Sequence, residues 1–180
     1  MPTTTEAYVA RSDSLKLETV HYADLAADEV LVDITAASVC HSDVRAAQGT
    51  FHLKPPMIIG HEAAGYVTEV GSSVSYVKPG DAVILAFASC GECRRCKVGK
   101  QPYCEQLLPL NFSGKRSDGS APVTDDKGEA INGLFFGQSS MARKALVREA
   151  CCVKVDCSKD ELKLFASLGC GIETGAGAIL

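Results

Sequence analysis

The stretch AAGYVTEVGSSVSYVKPGDAVILAFA, residues 63–88, decides how the chain is read. Its two ends are short apolar runs with β-branched residues, and Lys78-Pro79-Gly80-Asp81 between them carries a Pro-Gly pair that turns the chain. Strand, turn, strand is the expectation. Upstream, residues 6–11 (EAYVAR), 15–22 (LKLETVHY) and 29–39 (EVLVDITAASV) repeat the pattern, and downstream 141–149 (MARKALVRE) and 151–155 (CCVKV) do the same. Strands this short and this closely spaced predict a mainly β (α+β) chain on a barrel or sandwich-like core. Two segments break the pattern. Residues 89–136 are rich in cysteine, glycine and charge without a sustained apolar period, which predicts a lobe ordered only if something pins it. Residues 158–168 (SKDELKLFASL) predict a helix, with Ser158 and Glu161 in capping-box spacing.

The 180 residues suffice for one well-buried domain but not for two of full size. A net charge of −4, with no long Lys/Arg cluster, argues against a nucleic-acid partner. The longest apolar run, residues 82–88, is too short to span a bilayer, so no membrane partner is expected. The opening MPTTTEAYVARSDSL has no apolar core of the kind a secretory signal needs. Nine cysteines in such a chain predict metal ligands and free thiols in a reducing, cytoplasmic compartment rather than disulfides.

CGECRRCKVGKQPYC, residues 90–104, places Cys90, Cys93, Cys96 and Cys104 in C-x2-C-x2-C-x7-C spacing. Four thiolates on one short loop suit a closed, tetrahedral structural zinc. Such a site can supply roughly 10 kcal/mol of folding free energy to a loop that has no core. An iron–sulfur centre shares the C-x2-C-x2-C run but fits the fourth cysteine and the β-rich surroundings less well. Elsewhere SVCHSD (38–43) sets Cys40 beside His41 and Ser42 at a strand end, and GHE (60–62) sets His61 beside Glu62. Taken alone, each also has an ordinary reading: a buried thiol, a satisfied histidine, a surface carboxylate.

GHEAAGYVTEVGSSV, residues 60–74, resembles the signature of the zinc-containing medium-chain alcohol dehydrogenases, with Gly60-His61-Glu62, Gly65, Gly71 and Val74 at the family's offsets. The four-cysteine loop is similar to that family's structural zinc loop. CHSD resembles its first catalytic-ligand segment, and GCGIETGAG (169–177) the segment bringing the third ligand, with a lean toward the aryl- and benzyl-alcohol branch. The resemblance runs over essentially the whole chain.

It implies a GroES-like β-barrel catalytic domain over residues 1–157, with the zinc-pinned lobe at 89–136. Residues 158–180 would then begin a dinucleotide-binding domain that the chain does not contain. It also implies two zinc ions, one structural and one catalytic, the latter held by Cys40, His61 and Cys170 with an open fourth position. That arrangement suits a Lewis acid that lowers the pKa of a bound oxygen. Glu62 is implied as a transient ligand, Asp43 as the carboxylate that orients the histidine, and Ser42 as the hydroxyl that takes the substrate proton.

The family's relay histidine is replaced by Arg45, a poor base because guanidinium stays protonated, so the proton must leave by water, the cofactor ribose or His52. His41 and Thr174 are the implied contacts to NAD or NADP, and Phe87 and Phe112 are candidate walls of an apolar pocket. Cys151, Cys152 and Cys157 fit no ligand set and are expected as buried thiols. The implied activity is NAD(P)-linked oxidation of a small alcohol, or reduction of the aldehyde, in a homo-oligomer or beside a partner chain that supplies the nucleotide domain. The alternatives are a stand-alone zinc-binding domain without redox activity and a zinc-assisted isomerase or cyclase. Lacking G-x-G-x-x-G, residues 1–180 by themselves are not expected to bind the dinucleotide.

Overall fold

The computed structural model describes residues 3–51 and 53–180, so His52 lies outside the described residues. Ten strands follow in order: β1 (Thr3–Ala10), β2 (Leu15–Tyr22), β3 (Glu29–Ala37), β4 (Met57–Ile58), β5 (Ala63–Val70), β6 (Ala82–Leu85), β7 (Val123–Asp125), β8 (Ala130–Ile131), β9 (Lys144–Arg148) and β10 (Cys152–Val155). They make two five-stranded sheets, ordered β4-β1-β2-β7-β8 and β10-β6-β5-β3-β9, that wrap into a nearly closed barrel. The fold class read from strand spacing is the one observed. All the named strand pairings are antiparallel, as hairpin connections allow.

The opening stretch folds as expected. β5 and β6 pair from Ala63↔Leu85 to Tyr66↔Ala82. At the turn between them, Asp81 N donates to Lys78 O (3.1 Å) while Lys78 N donates to the Asp81 carboxylate (2.9 Å). β3 lies between β5 and β9, and its run of Val30, Leu31 and Val32 is buried on both faces. Leu31 joins Val9, Val20, Ile58 and Leu146 in one cluster, while Val30 and Val32 join Val67, Val83, Leu85 and Val147 in another. That is why the run does not alternate with polar residues.

Two segments differ from the sequence-based expectation in detail. Residues 112–133 show no period, yet β7 and β8 form a hairpin whose β7 extends the first sheet by pairing with β2. Strands of three and two residues are too short to leave a periodic signature. The helix expected over 158–168 is split into α4 (Lys159–Leu164) and a 3-10 turn over Phe165–Gly169. The capping box is present: Ser158 N donates to Glu161 Oε2 (2.8 Å) and Glu161 N to Ser158 Oγ (3.3 Å). The tightening after Leu164 follows from packing. An added Cβ on Gly169 would lie 2.0 Å from Leu85 O, so the turn sits directly on the end of β6 and delivers Cys170 there.

Candidate metal centres

The chain leaves β6 and runs through α2 (Arg94–Lys97) and α3 (Leu107–Phe112), and two buried polar anchors hold this excursion to the barrel. Asn111 is 1% exposed; its Oδ1 accepts from Ala88 N (2.8 Å) and its Nδ2 donates to Ala88 O (2.9 Å) and Leu107 O (2.7 Å). Arg116 forks onto buried Glu29 through Nε (2.9 Å) and Nη2 (2.6 Å). Within the loop that the Asn111–Ala88 bonds close, the sulfurs of Cys90, Cys93, Cys96 and Cys104 lie within 4.8 Å of one another.

Backbone amides point at the sulfurs: Cys93 N to Cys90 Sγ, and Cys90 N and Gln106 N to Cys104 Sγ, all at 3.3 Å. The amides of Glu105 and Cys96 hold the Cys93 thiol down to about 6, whereas burial and the neighbouring Cys93 push Cys96 up to about 12. Four thiolates this close repel one another. A dication at their centre removes the conflict, which is the chemistry of a closed tetrahedral sulfur site.

The second cluster draws on parts of the chain far apart in sequence. β3 ends just before Cys40, which precedes α1 (His41–Ala47); Gly60-His61-Glu62 leads into β5; and Cys170 precedes α5 (Gly171–Gly177). Cys40, His61, Glu62 and Cys170 each offer one ligand atom, and these atoms lie within 4.8 Å of one another. Gly60, with φ of +103° and the backbone of Met141 packed where a side chain would start, fixes the entry of His61.

Asp43, wholly buried, organises the cluster. One oxygen accepts from Gly60 N (3.0 Å) and meets His61 Nδ1 (2.9 Å), and the other accepts from Cys40 N (2.9 Å). With Nδ1 so engaged, His61 Nε2 is buried and has no hydrogen-bond partner. A buried imidazole nitrogen without a partner, facing two thiols, fits a metal ligand and little else. Burial opposes ionisation of His61, but Asp43 outweighs it and raises the imidazole pKa. The Cys40 thiol is lowered despite burial by the backbone and hydroxyl of Ser42 and by His61, while burial and nearby Cys40 push Cys170 up to about 11.

Two clefts flank the cluster. One, of about 310 Å³, is lined by His61, Phe87, Phe136, Cys170 and Thr174, with Thr174 Oγ1 3.9 Å from Cys170 Sγ. The other, of about 740 Å³, is lined by His41, Ser42, Arg45, Phe51, Lys54 and Phe112. Phe112 and Phe136 meet edge to face at 4.9 Å and so join the two walls, and the Phe136 ring stacks on His61 at 4.5 Å. The structure thus brings Cys40, His61, Glu62 and Cys170 together, with Asp43 holding the Cys40 and His61 ends, but sets His41 and Ser42 in one cleft and Thr174 in the other.

Glu62 is 3% exposed, not the surface carboxylate of its ordinary reading. Cys151 and Cys152 are buried as expected; Cys157 is only half-buried. Sequence reasoning misses Phe136 and Gln138. Gln138 donates to His61 O (3.0 Å) and Ala86 O (2.9 Å), tying the ligand loop to the end of β6. Phe136 reaches His61 from a left-handed backbone (φ 51°) that no glycine announces, so its sequence carries no signal.

The alcohol dehydrogenase GroES-like domain model matches residues 26–157. The chain is 43% identical over 166 residues to a geraniol dehydrogenase of Castellaniella defragrans, a match covering 92% of this chain and 44% of the relative. Among solved structures it superimposes on an alcohol dehydrogenase zinc-binding domain protein of Burkholderia ambifaria with a TM-score of 0.94 and 38% identity, covering 99% of this chain and 48% of that one. It also superimposes on the benzyl alcohol dehydrogenase of Acinetobacter calcoaceticus with a TM-score of 0.87 and 34% identity, covering 98% and 47%. The chain thus spans about half the length of the curated relatives it matches. Matched family model, barrel topology and paired cysteine and histidine clusters agree, and the chain belongs to the alcohol dehydrogenase GroES-like domain family.

Proposed function

We propose that the chain is the catalytic half of a zinc-dependent alcohol dehydrogenase that oxidises a primary allylic or aromatic alcohol, with NAD or NADP as hydride acceptor. The observation that carries this is the Cys40–His61–Cys170 cluster, in which His61 Nε2 is buried without a partner while Asp43 fixes Nδ1. Cys40, His61 and Cys170 would hold the catalytic zinc, which supplies a Lewis acid, and Cys90, Cys93, Cys96 and Cys104 would hold the structural one.

The chain's own residues do the rest. Asp43 keeps His61 in one tautomer and one orientation. The Phe51, Phe112 and Phe136 rings, packed against the buried Phe135 ring with centroids 4.8–6.2 Å apart, present an apolar wall suited to a flat or unsaturated substrate body and exclude water beside it. Ser42, half-buried in the larger cleft, takes the alcohol proton at Oγ and hands it toward solvent. Arg45, at the same cleft, offers a guanidinium, a poor base that cannot end that relay. Thr174, across the cluster, would be the residue that meets the nicotinamide. The geraniol and benzyl alcohol activities named for the relatives give the allylic and aromatic classes.

Metal analysis of protein purified without chelator tests the reading: two zinc per chain are expected, falling to one in Cys40→Ala. Zinc near zero, or iron in its place, overturns it. Turnover is tested by joining the chain to the remaining part of the Castellaniella relative and following NAD(P)H formation with geraniol and benzyl alcohol, where activity lost in Cys40→Ala is expected.

A further inference from the structure

Glu62 is held at both oxygens. Ser38 Oγ donates to Oε2 at 2.5 Å, and Gly171 N donates to Oε1 at 3.1 Å. The backbones are paired too, Ser38 N to Glu62 O at 2.9 Å, so Ser38 is fixed beside the carboxylate by the end of β3. The carboxylate nevertheless lies within 4.8 Å of the ligand atoms of Cys40, His61 and Cys170. A carboxylate oxygen that accepts a short hydrogen bond has less electron density to offer a cation, and it must lose that bond to swing away.

Resting on the proposed metal site, we propose that Ser38 is a positioning residue that keeps Glu62 out of the fourth coordination place and so leaves that place to an outside ligand. Ser38 is not one of the clustered ligand residues, and its hydroxyl donates to Glu62, so its role runs through that carboxylate. Removing its hydroxyl frees Oε2, the carboxylate closes the site, and an incoming anion or alcohol must then displace it. Gly171 contributes the second restraint, and because it follows Cys170 directly, the position of the carboxylate is tied to that of the last ligand.

The test is azide titration of the cobalt(II)-loaded protein, followed by the visible cobalt bands. Four thiolates leave no place for azide in the lobe, so the response reports the mixed site. Ser38→Ala is expected to need roughly ten-fold more azide for half the spectral change, the scale of one charge-assisted hydrogen bond. Ser38→Thr, which keeps the hydroxyl, should titrate like the parent. In a Glu62→Gln background, Ser38→Ala should have no further effect. Unchanged azide affinity in Ser38→Ala, or the same loss with Glu62→Gln present, overturns the role of Ser38 while leaving the metal site standing. Failure of the parent to take up a second cobalt that Cys40→Ala removes overturns the site itself, and this proposal with it.

Discussion

Asp43 is the residue on which the most depends. It is fully buried and answers two backbone amides and an imidazole at once, from Cys40, Gly60 and His61. Asp43→Ala would leave both amides buried and unpaired, a cost of about 3 kcal/mol. It would also release His61 from its orientation. The expected outcome is a melting temperature lower by several degrees together with a roughly ten- to hundred-fold loss of metal affinity at the mixed site, while the four-cysteine lobe keeps its ion. Thermal denaturation alongside metal titration checks both halves. A drop in stability without a change in metal affinity would contradict the positioning role. The sequence placed Asp43 in this role only by family resemblance, since nothing local in CHSD says that its carboxylate turns inward across to Gly60.

At the scale of elements, the two clusters divide the work differently. The lobe between β6 and β7 has two polar anchors, Asn111 and Arg116, and little core of its own. Cys93→Ala is expected to lower the melting temperature and open the lobe to protease, whereas Cys40→Ala should empty the mixed site and leave the barrel's melting nearly unchanged. Equal losses would contradict this division. Strand β10 makes a separate test. Burial, with a smaller contribution from Glu149, pushes the Cys152 thiol from its ordinary 9 up to about 12, and burial pushes Cys151 higher still. A thiol raised in the folded state stabilises the fold in full below pH 9, and that contribution is lost as pH rises from 9 toward 12. Thiol reagents at pH 8 should therefore modify Cys151 and Cys152 only on unfolding, and urea midpoints should fall above pH 9.

The longer strands, the Pro-Gly turn and the capped α4 were legible in the sequence, because periodicity and turn chemistry are local signals. The β7–β8 hairpin was not, and of the aromatic wall only Phe112 was. A two-residue strand has no period, and Phe112 meets Phe136 only after the lobe has folded back on the barrel. The four-cysteine cluster could be read from spacing alone. The mixed cluster could not, because its ligands converge only through β3, β5 and the turn at Gly169.

Across the whole molecule, the barrel is well filled but the C-terminal segment is not covered. Leu164, Ile172 and Ile179 are 74%, 49% and 88% exposed, and every residue of α5 is exposed. Residues 1–180 by themselves are expected to self-associate on size exclusion and to leave NAD(P)H fluorescence unchanged, having no glycine-rich turn to cradle a pyrophosphate. A monodisperse monomer that quenches NAD(P)H would contradict both.

The wide separation of Cys40, His61 and Cys170 along the chain has a consequence in time. A polypeptide made from its N-terminus completes the four-cysteine set at residue 104, with β9, β10 and α4 still to come, and completes the mixed set only when Cys170 emerges. If both clusters take up metal as proposed, metallation would be vectorial: the lobe's ion would be captured during synthesis, and the ion of the mixed site only after the barrel has closed. A chain halted at Leu168 keeps both sheets, α4 and the lobe, and should carry one zinc by metal analysis; two would place the second ion somewhere other than Cys170.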